Sequence, residues 1–111
     1  MKTAKLKDLD DIPEYYTGIV EWESGNKSWY KNGRSHREDG PAYIRKDGVI
    51  YWDLDGRAIW DSHAKLNLRN QIILSKSKHP KYPTVQVWKI LGPNGLYEQV
   101  VIPGMEAGII E

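Results

Sequence analysis

Between Gly18 and Leu54, apolar and polar residues alternate in short runs, and the runs break at glycine. Gly18 to Glu23 sets Val20 and Trp22 against Glu21 and Glu23, the period of a half-buried strand. Lys27 to Lys31, Pro41 to Arg45 and Val49 to Leu54 repeat the pattern. In "VIYWDL" both faces carry bulk, which predicts a strand covered on both sides. The breaks are Asn32-Gly33, Asp39-Gly40, Asp47-Gly48 and Asp55-Gly56, at spacings of eight, eight and seven residues. Asn-Gly and Asp-Gly between apolar runs favour a type I′ turn, because both central residues must take positive φ. The spacing predicts an antiparallel meander of four or five short strands.

After Trp60 the period changes. "DSHAKLNLRNQIIL" lacks glycine and proline, and Ala64, Leu68 and Ile72 lie four apart. That spacing predicts an amphipathic helix over 61–74, capped by Asp61 or Ser62, with Lys65 and Arg69 on its basic outer face. "SKSKHPKYP" is a loop. "TVQVWKIL" and "LYEQVVI" flank "GPNG", which predicts a second hairpin over 84–102. These elements sum to one α+β domain spanning 1–111.

An internal repeat sharpens the first half. "GNKSWYKNGRS" (25–35) aligns with "GVIYWDLDGRA" (48–58) at a constant offset of 23 residues. Gly25 meets Gly48, Trp29 meets Trp52, Asn32 meets Asp55, Gly33 meets Gly56 and Arg34 meets Arg57. Each unit is a glycine turn, a Trp-bearing strand and a type I′ signal.

Composition narrows the class. There are five Trp, seven Tyr and no Phe, so most rings carry a polar handle suited to half-exposed sheets. With no cysteine, disulfides and thiol chemistry are excluded. The N-terminal residues lack the apolar core of a signal peptide, and no apolar run reaches membrane length. The expected setting is cytoplasmic. The net charge of +1 hides an asymmetry: residues 1–61 are net −2, residues 62–97 hold six Lys and Arg with no acid, and residues 98–111 are net −3.

"WYKNGRSHREDGPAYIRKDGVIYW" (29–52) resembles a hairpin repeat of bacteriophage proteins, W-Y-x-N-G-x-x-H-R-x-D-G-P-A followed by a D-G turn and another Trp. The pattern is similar to the MORN repeat, another glycine- and aromatic-rich hairpin array. The resemblance covers about residues 18–60. The second unit departs from it, with Ile59-Trp60 where His36-Arg37 stood. It implies binding or scaffolding and brings no reaction with it.

Three readings of the candidate residues follow. The first is a non-enzymatic accessory protein, host-cytoplasmic if phage-encoded, that inhibits a host protein such as a defence component by occlusion, with Trp, Tyr and Arg as anchors. The second is a sponge for an anionic nucleotide. It would use a pocket of Trp22, Trp52 or Tyr51 rimmed by Arg37, Arg57 or Lys65, built within one chain or between two copies. The third is a small hydrolase with His36 as base and Asp39 as orienting partner. No nucleophile motif accompanies that pair, and the three histidines lack metal-ligand spacing, so no catalytic residue, metal or cofactor is expected. Asp39 as a turn acceptor, Gly40 at positive φ and Pro41 opening a strand account for "EDGPA" structurally. Duplex or single-stranded nucleic acid is a poor fit to the near-neutral charge and acidic first half. His36 and Arg37 remain the pair of interest, with Trp22, Trp52, Tyr51, Arg57, Lys65 and Arg69 as the other binding candidates.

Overall fold

The computed structural model describes residues 1–63 and 66–110. They form two compact units, Met1–Arg37 with Pro41–Ser62, and Glu38–Gly40 with His63–Glu111.

The first unit is a seven-stranded sheet. Its strands are β1 (Thr3–Leu6), β2 (Gly18–Trp22), β3 (Lys27–Lys31), β4 (Arg34–Ser35), β5 (Tyr43–Ile44), β6 (Ile50–Leu54) and β7 (Arg57–Asp61). They lie in the order β1-β2-β3-β5-β6-β7, with β4 beside β3. β1 runs parallel to β2, and the other pairs are antiparallel. The edge of β3 is shared: Tyr30 and Lys31 pair with β4, while Lys27 and Ser28 pair with β5. Ile19 opposite Trp29, Trp29 bonded to Ala42, and Trp52 opposite Trp60 place these side chains on one face. Trp29, Ala42, Trp52 and, further along β6, Leu54 are buried there. Burial of each large side chain contributes about 3 kcal/mol.

The meander follows the alternation closely, except at two turns. Asn32-Gly33 and Asp55-Gly56 have φ of 52° and 78°, and 51° and 78°, the signature of type I′. Asp47-Gly48 closes a wider turn, with the Gly48 N–H donating to the Arg45 carbonyl at 3.0 Å. Asp39-Gly40 is not a hairpin turn. Gly40 does not take positive φ, and strand pairing resumes only at Tyr43, two residues after Pro41. Glu38–Gly40 leaves the sheet for the second unit, where the Thr84 hydroxyl donates to the Glu38 carbonyl at 2.8 Å.

The second unit is a three-stranded antiparallel sheet, β10-β9-β8, of β8 (Ile72–Lys78), β9 (Gln86–Gly92) and β10 (Gly95–Val101). The expected C-terminal hairpin is present, closed by Pro93-Asn94 with Gly95 at φ 115°. Ile90, Trp88 and Val101 are buried on one face, and Val85, Ile102 and Met105 are buried in the same unit. Met105 opens a 3-10 turn, and its sulfur accepts the Ile102 N–H at 3.1 Å.

The α+β expectation is therefore corrected. Among the described residues no helix exceeds four residues, and the fold is nearly all β. The span 61–74 is not an amphipathic helix. Asp61 ends β7, Asn67 bridges to Ile110, and Ile72 opens β8. Asn67 Oδ1 accepts the Arg69 N–H at 2.9 Å, and Asn70 sits at φ 60°. Two asparagines thus supply the turn that a helix must lack, and the β-branched pair Ile72-Ile73 prefers the strand. Leu68 is buried as the stripe required, but on a turn.

Candidate functional site

His36 is a turn clamp. A type I′ turn leaves the N–H groups of its two central residues outside the hairpin's own bonding. At Asp55-Gly56 the preceding unit satisfies both. His36 Nδ1 accepts the Asp55 N–H at 2.9 Å, and the Ser35 carbonyl accepts the Gly56 N–H at 2.9 Å. At Asn32-Gly33 the same arrangement recurs one unit earlier. Thr17 Oγ1 accepts the Asn32 N–H at 2.9 Å and the Tyr16 carbonyl accepts the Gly33 N–H at 2.9 Å. His36 is only 5% exposed. Its Nδ1 must carry a lone pair to accept, so the ring proton sits on Nε2. The Asp55 carboxylate lies 3.5 Å from Nδ1. Nδ1 is thereby committed to a backbone N–H.

Arg37 is also built into the sheet. Its guanidinium lies 4.0 Å from the Trp29 ring centre and Nη1 donates to the Pro41 carbonyl at 3.1 Å. Trp52 is buried beside Trp29 on the core face, and Arg57, exposed, shares that face through its pairing with Leu54. Arg69 is exposed in the turn of the second unit. Lys65 lies outside the described residues. Of the seven candidates among the described residues, the register brings Trp22 and Tyr51 onto a common accessible face.

That face is the polar, ring-rich side of the first sheet. Val20 pairs with Ser28, Ser28 with Tyr43, and Tyr43 with Tyr51, so Trp22, Ser28, Tyr30, Tyr43, Tyr51 and Asp53 share it. Apart from buried Ser28, each is half-buried. The polar ends of Trp22, Tyr43 and Asp53 are engaged within the first unit. Trp22 Nε1 donates to Ser28 Oγ at 2.8 Å, Asn26 Nδ2 donates to the Tyr43 hydroxyl at 2.9 Å, and the Ser35 hydroxyl donates to Asp53 at 2.8 Å. The Tyr43 and Tyr51 rings stand 5.7 Å apart, tilted by 53°. The segment Lys7–Leu9 and this face enclose a cleft of about 370 Å³, lined by Trp22, Ser28, Tyr30 and Tyr43. Leu9 (69% exposed) and Tyr15 (72%) project beside Tyr30, at a neighbouring hollow.

Burial sets the electrostatics of this face. It raises the Asp53 pKa, and the Ser35 hydrogen bond opposes the shift. Burial also raises the Tyr30 pKa; a hydrogen bond with Ser28 lowers it, and Tyr43 and Asp53 add to the rise. The cleft thus offers neutral ring faces with Lys7 and Asp8 at its border, and Asp53 lies further along the same sheet face.

Tyr30, Tyr43, Leu9 and Tyr15 are absent from the residues the sequence singled out. Tyr43 and Tyr51 pair across β5 and β6, and only register reveals that they join Trp22. Compared with protein-family models, curated proteins and solved structures, the chain matches none.

Proposed function

We propose that this chain is a non-enzymatic binding protein that occludes a partner protein with the Trp22–Tyr30–Tyr43–Tyr51 face. The observation that carries the reading is the engagement of the polar ends. Trp22 and Tyr43, whose N–H and O–H groups are already bonded within the first unit, are held in place before any partner arrives, so little side-chain entropy is lost on docking. Exposed Leu9 and Tyr15 extend the apolar area beside them. Asp8 at the cleft and Asp53 on the same face favour a partner that presents an Arg or Lys. The resemblance of residues 29–52 to phage-type repeats supports a host protein, such as a defence component, as the target.

A protein fits this face better than an anionic nucleotide. Of the arginines a phosphate would need, Arg37 is stacked on Trp29 and Arg57 is on the opposite side, and the one cation among the described residues at the cleft, Lys7, stands beside Asp8. The test is recovery of a host partner by immobilised wild-type chain and by Trp22→Ala/Tyr43→Ala. Loss of the partner in the variant, with an unchanged circular dichroism spectrum, is the expected result. Equal recovery by both, or stabilisation of the wild type by a nucleotide in a thermal-shift series, overturns the reading.

A further inference from the structure

Among the described residues, the outer edge of β8, seven residues long, has no strand beside it. An open edge pairs with any extended chain that reaches it, and stable proteins guard such edges. β8 is guarded in a selective way. A bulge interrupts its register between Ile73 and Ser75, and Lys76 and Lys78 stand toward its end. Among the described residues no carboxylate lies within 4.0 Å of either lysine, and the Lys76 ammonium rests 4.2 Å from the Trp88 ring centre. Residues 62–97 hold no acid at all. The other end of the strand is apolar and open: Ile72 is 60% and Leu74 54% exposed. Ile72, Leu91 and Leu96 are cross-strand neighbours, so the apolar row continues over the outer face of the sheet, where Leu91 and Leu96 are also exposed.

We propose that β8 is a docking edge for an acidic, extended segment of a partner protein, which adds as a fourth strand to the β10-β9-β8 sheet. Main-chain bonds along β8 supply the attachment, and side chains supply the choice of partner. Apolar residues of the segment meet Ile72 and Leu74, and its carboxylates meet Lys76 and Lys78. A second copy of this chain is a poor occupant. Parallel self-pairing sets Lys76 and Lys78 against their own copies, and like charges across a strand pair are destabilising; antiparallel self-pairing over the full strand sets Lys78 against Ile72 and Lys76 against Leu74, where neither ammonium meets a counter-charge. The guard thus gives its own kind no counter-charge and leaves an acidic strand welcome. This surface lies in the second unit and does not depend on the ring-rich face of the first.

The probe is a synthetic β-prone peptide of about nine residues, with alternating Val and Thr and two Glu toward one end. Two companions accompany it: the same peptide with Lys for Glu, and the Glu peptide N-methylated along one edge. Fluorescence anisotropy with the full chain reads affinity, and amide exchange reads β8. The expected result is binding of the Glu peptide alone, slowed exchange within Ile72–Lys78, and weakening by added salt. Lys76→Glu/Lys78→Glu should weaken the Glu peptide about tenfold and favour the Lys peptide. Lys78→Glu alone leaves the Trp88 contact intact, so a loss there cannot be ascribed to misfolding. Trp22→Ala/Tyr43→Ala should leave peptide binding unchanged, which separates this edge from the first unit's face. Equal binding of the Glu and Lys peptides, equal binding after N-methylation, or a dimer formed through β8 in light scattering overturns the proposal.

Discussion

Replacing His36 with leucine removes one acceptor and little volume. In the folded chain the Asp55 N–H, now held at 2.9 Å by Nδ1, loses its partner in a place water reaches poorly, because His36 is 5% exposed. An unsatisfied buried donor costs about 1–3 kcal/mol. For a chain of this size 1 kcal/mol lowers Tm by about 4 °C, so the expected fall is about 4–12 °C. Thr17 performs the same task for Asn32 at an exposed position, where water replaces the lost hydroxyl. Thr17→Val should therefore cost only about 0.5 kcal/mol. His36→Asn puts an amide oxygen near the position of Nδ1, and should recover part of the loss despite its smaller size. Unfolding followed by the fluorescence of buried Trp29 and Trp52 measures the series, and amide exchange at Asp55 locates the effect. A His36→Leu protein with Tm within 1 °C of wild type, or with unchanged Asp55 exchange, refutes the clamp. So does an asparagine variant no better than leucine.

Three further predictions follow from single contacts. Arg37→Ala loses the stack on Trp29 and the bond to the Pro41 carbonyl, about 1–2 kcal/mol together, visible as a lower Tm and a changed near-ultraviolet Trp signal; Arg37→Lys, without a planar fork, should recover less than half. Gly18→Ala places a Cβ 2.7 Å from the Lys2 carbonyl, the acceptor of the Ile19 N–H, at φ 152°; it should cost about 2–3 kcal/mol and speed amide exchange in β1, whereas unchanged exchange there contradicts the contact. Asp53→Asn tests the buried carboxyl. Because its folded pKa is raised, the protonated form is favoured by folding, and that contribution is full below the ordinary carboxylate range and lost as pH rises through the folded value. The asparagine variant should thus be more stable than wild type at pH 7 and closely matched at pH 3, and a difference that does not vary with pH contradicts the assignment.

The hairpin turns were legible because glycine after asparagine or aspartate reports a backbone conformation directly. Asn32-Gly33 and Asp55-Gly56 needed no tertiary context to be recognised. Faces were not legible, because parity within a strand says nothing about parity between strands. Trp52 and Tyr51 are neighbours in sequence, yet one is core and the other lines the open face. The helix over 61–74 failed for a related reason. A spacing of four satisfies a period of two as well as one of 3.6, and Asn67 and Asn70 were weak signals of the turn that decides between them. His36 was noticed for its chemistry, while its task is to accept a backbone N–H. Nothing in a linear pattern marks which donor, nineteen residues away, will need it.

The clamp also sets where an array of these units stops. His36 and Arg37 leave β3 after β4 has paired only twice, which frees the rest of that edge for β5. At the matching place in the next unit stand Ile59 and Trp60, which offer a following turn no acceptor. β7 instead stays paired with β6 from Arg57 to Asp61, apart from a bulge at Ile59, and occupies the edge that another hairpin would need. These two side chains act as a termination signal. Lengthening the sheet by another 23-residue module therefore calls for His and Arg at 59 and 60, before any choice of new strand sequence.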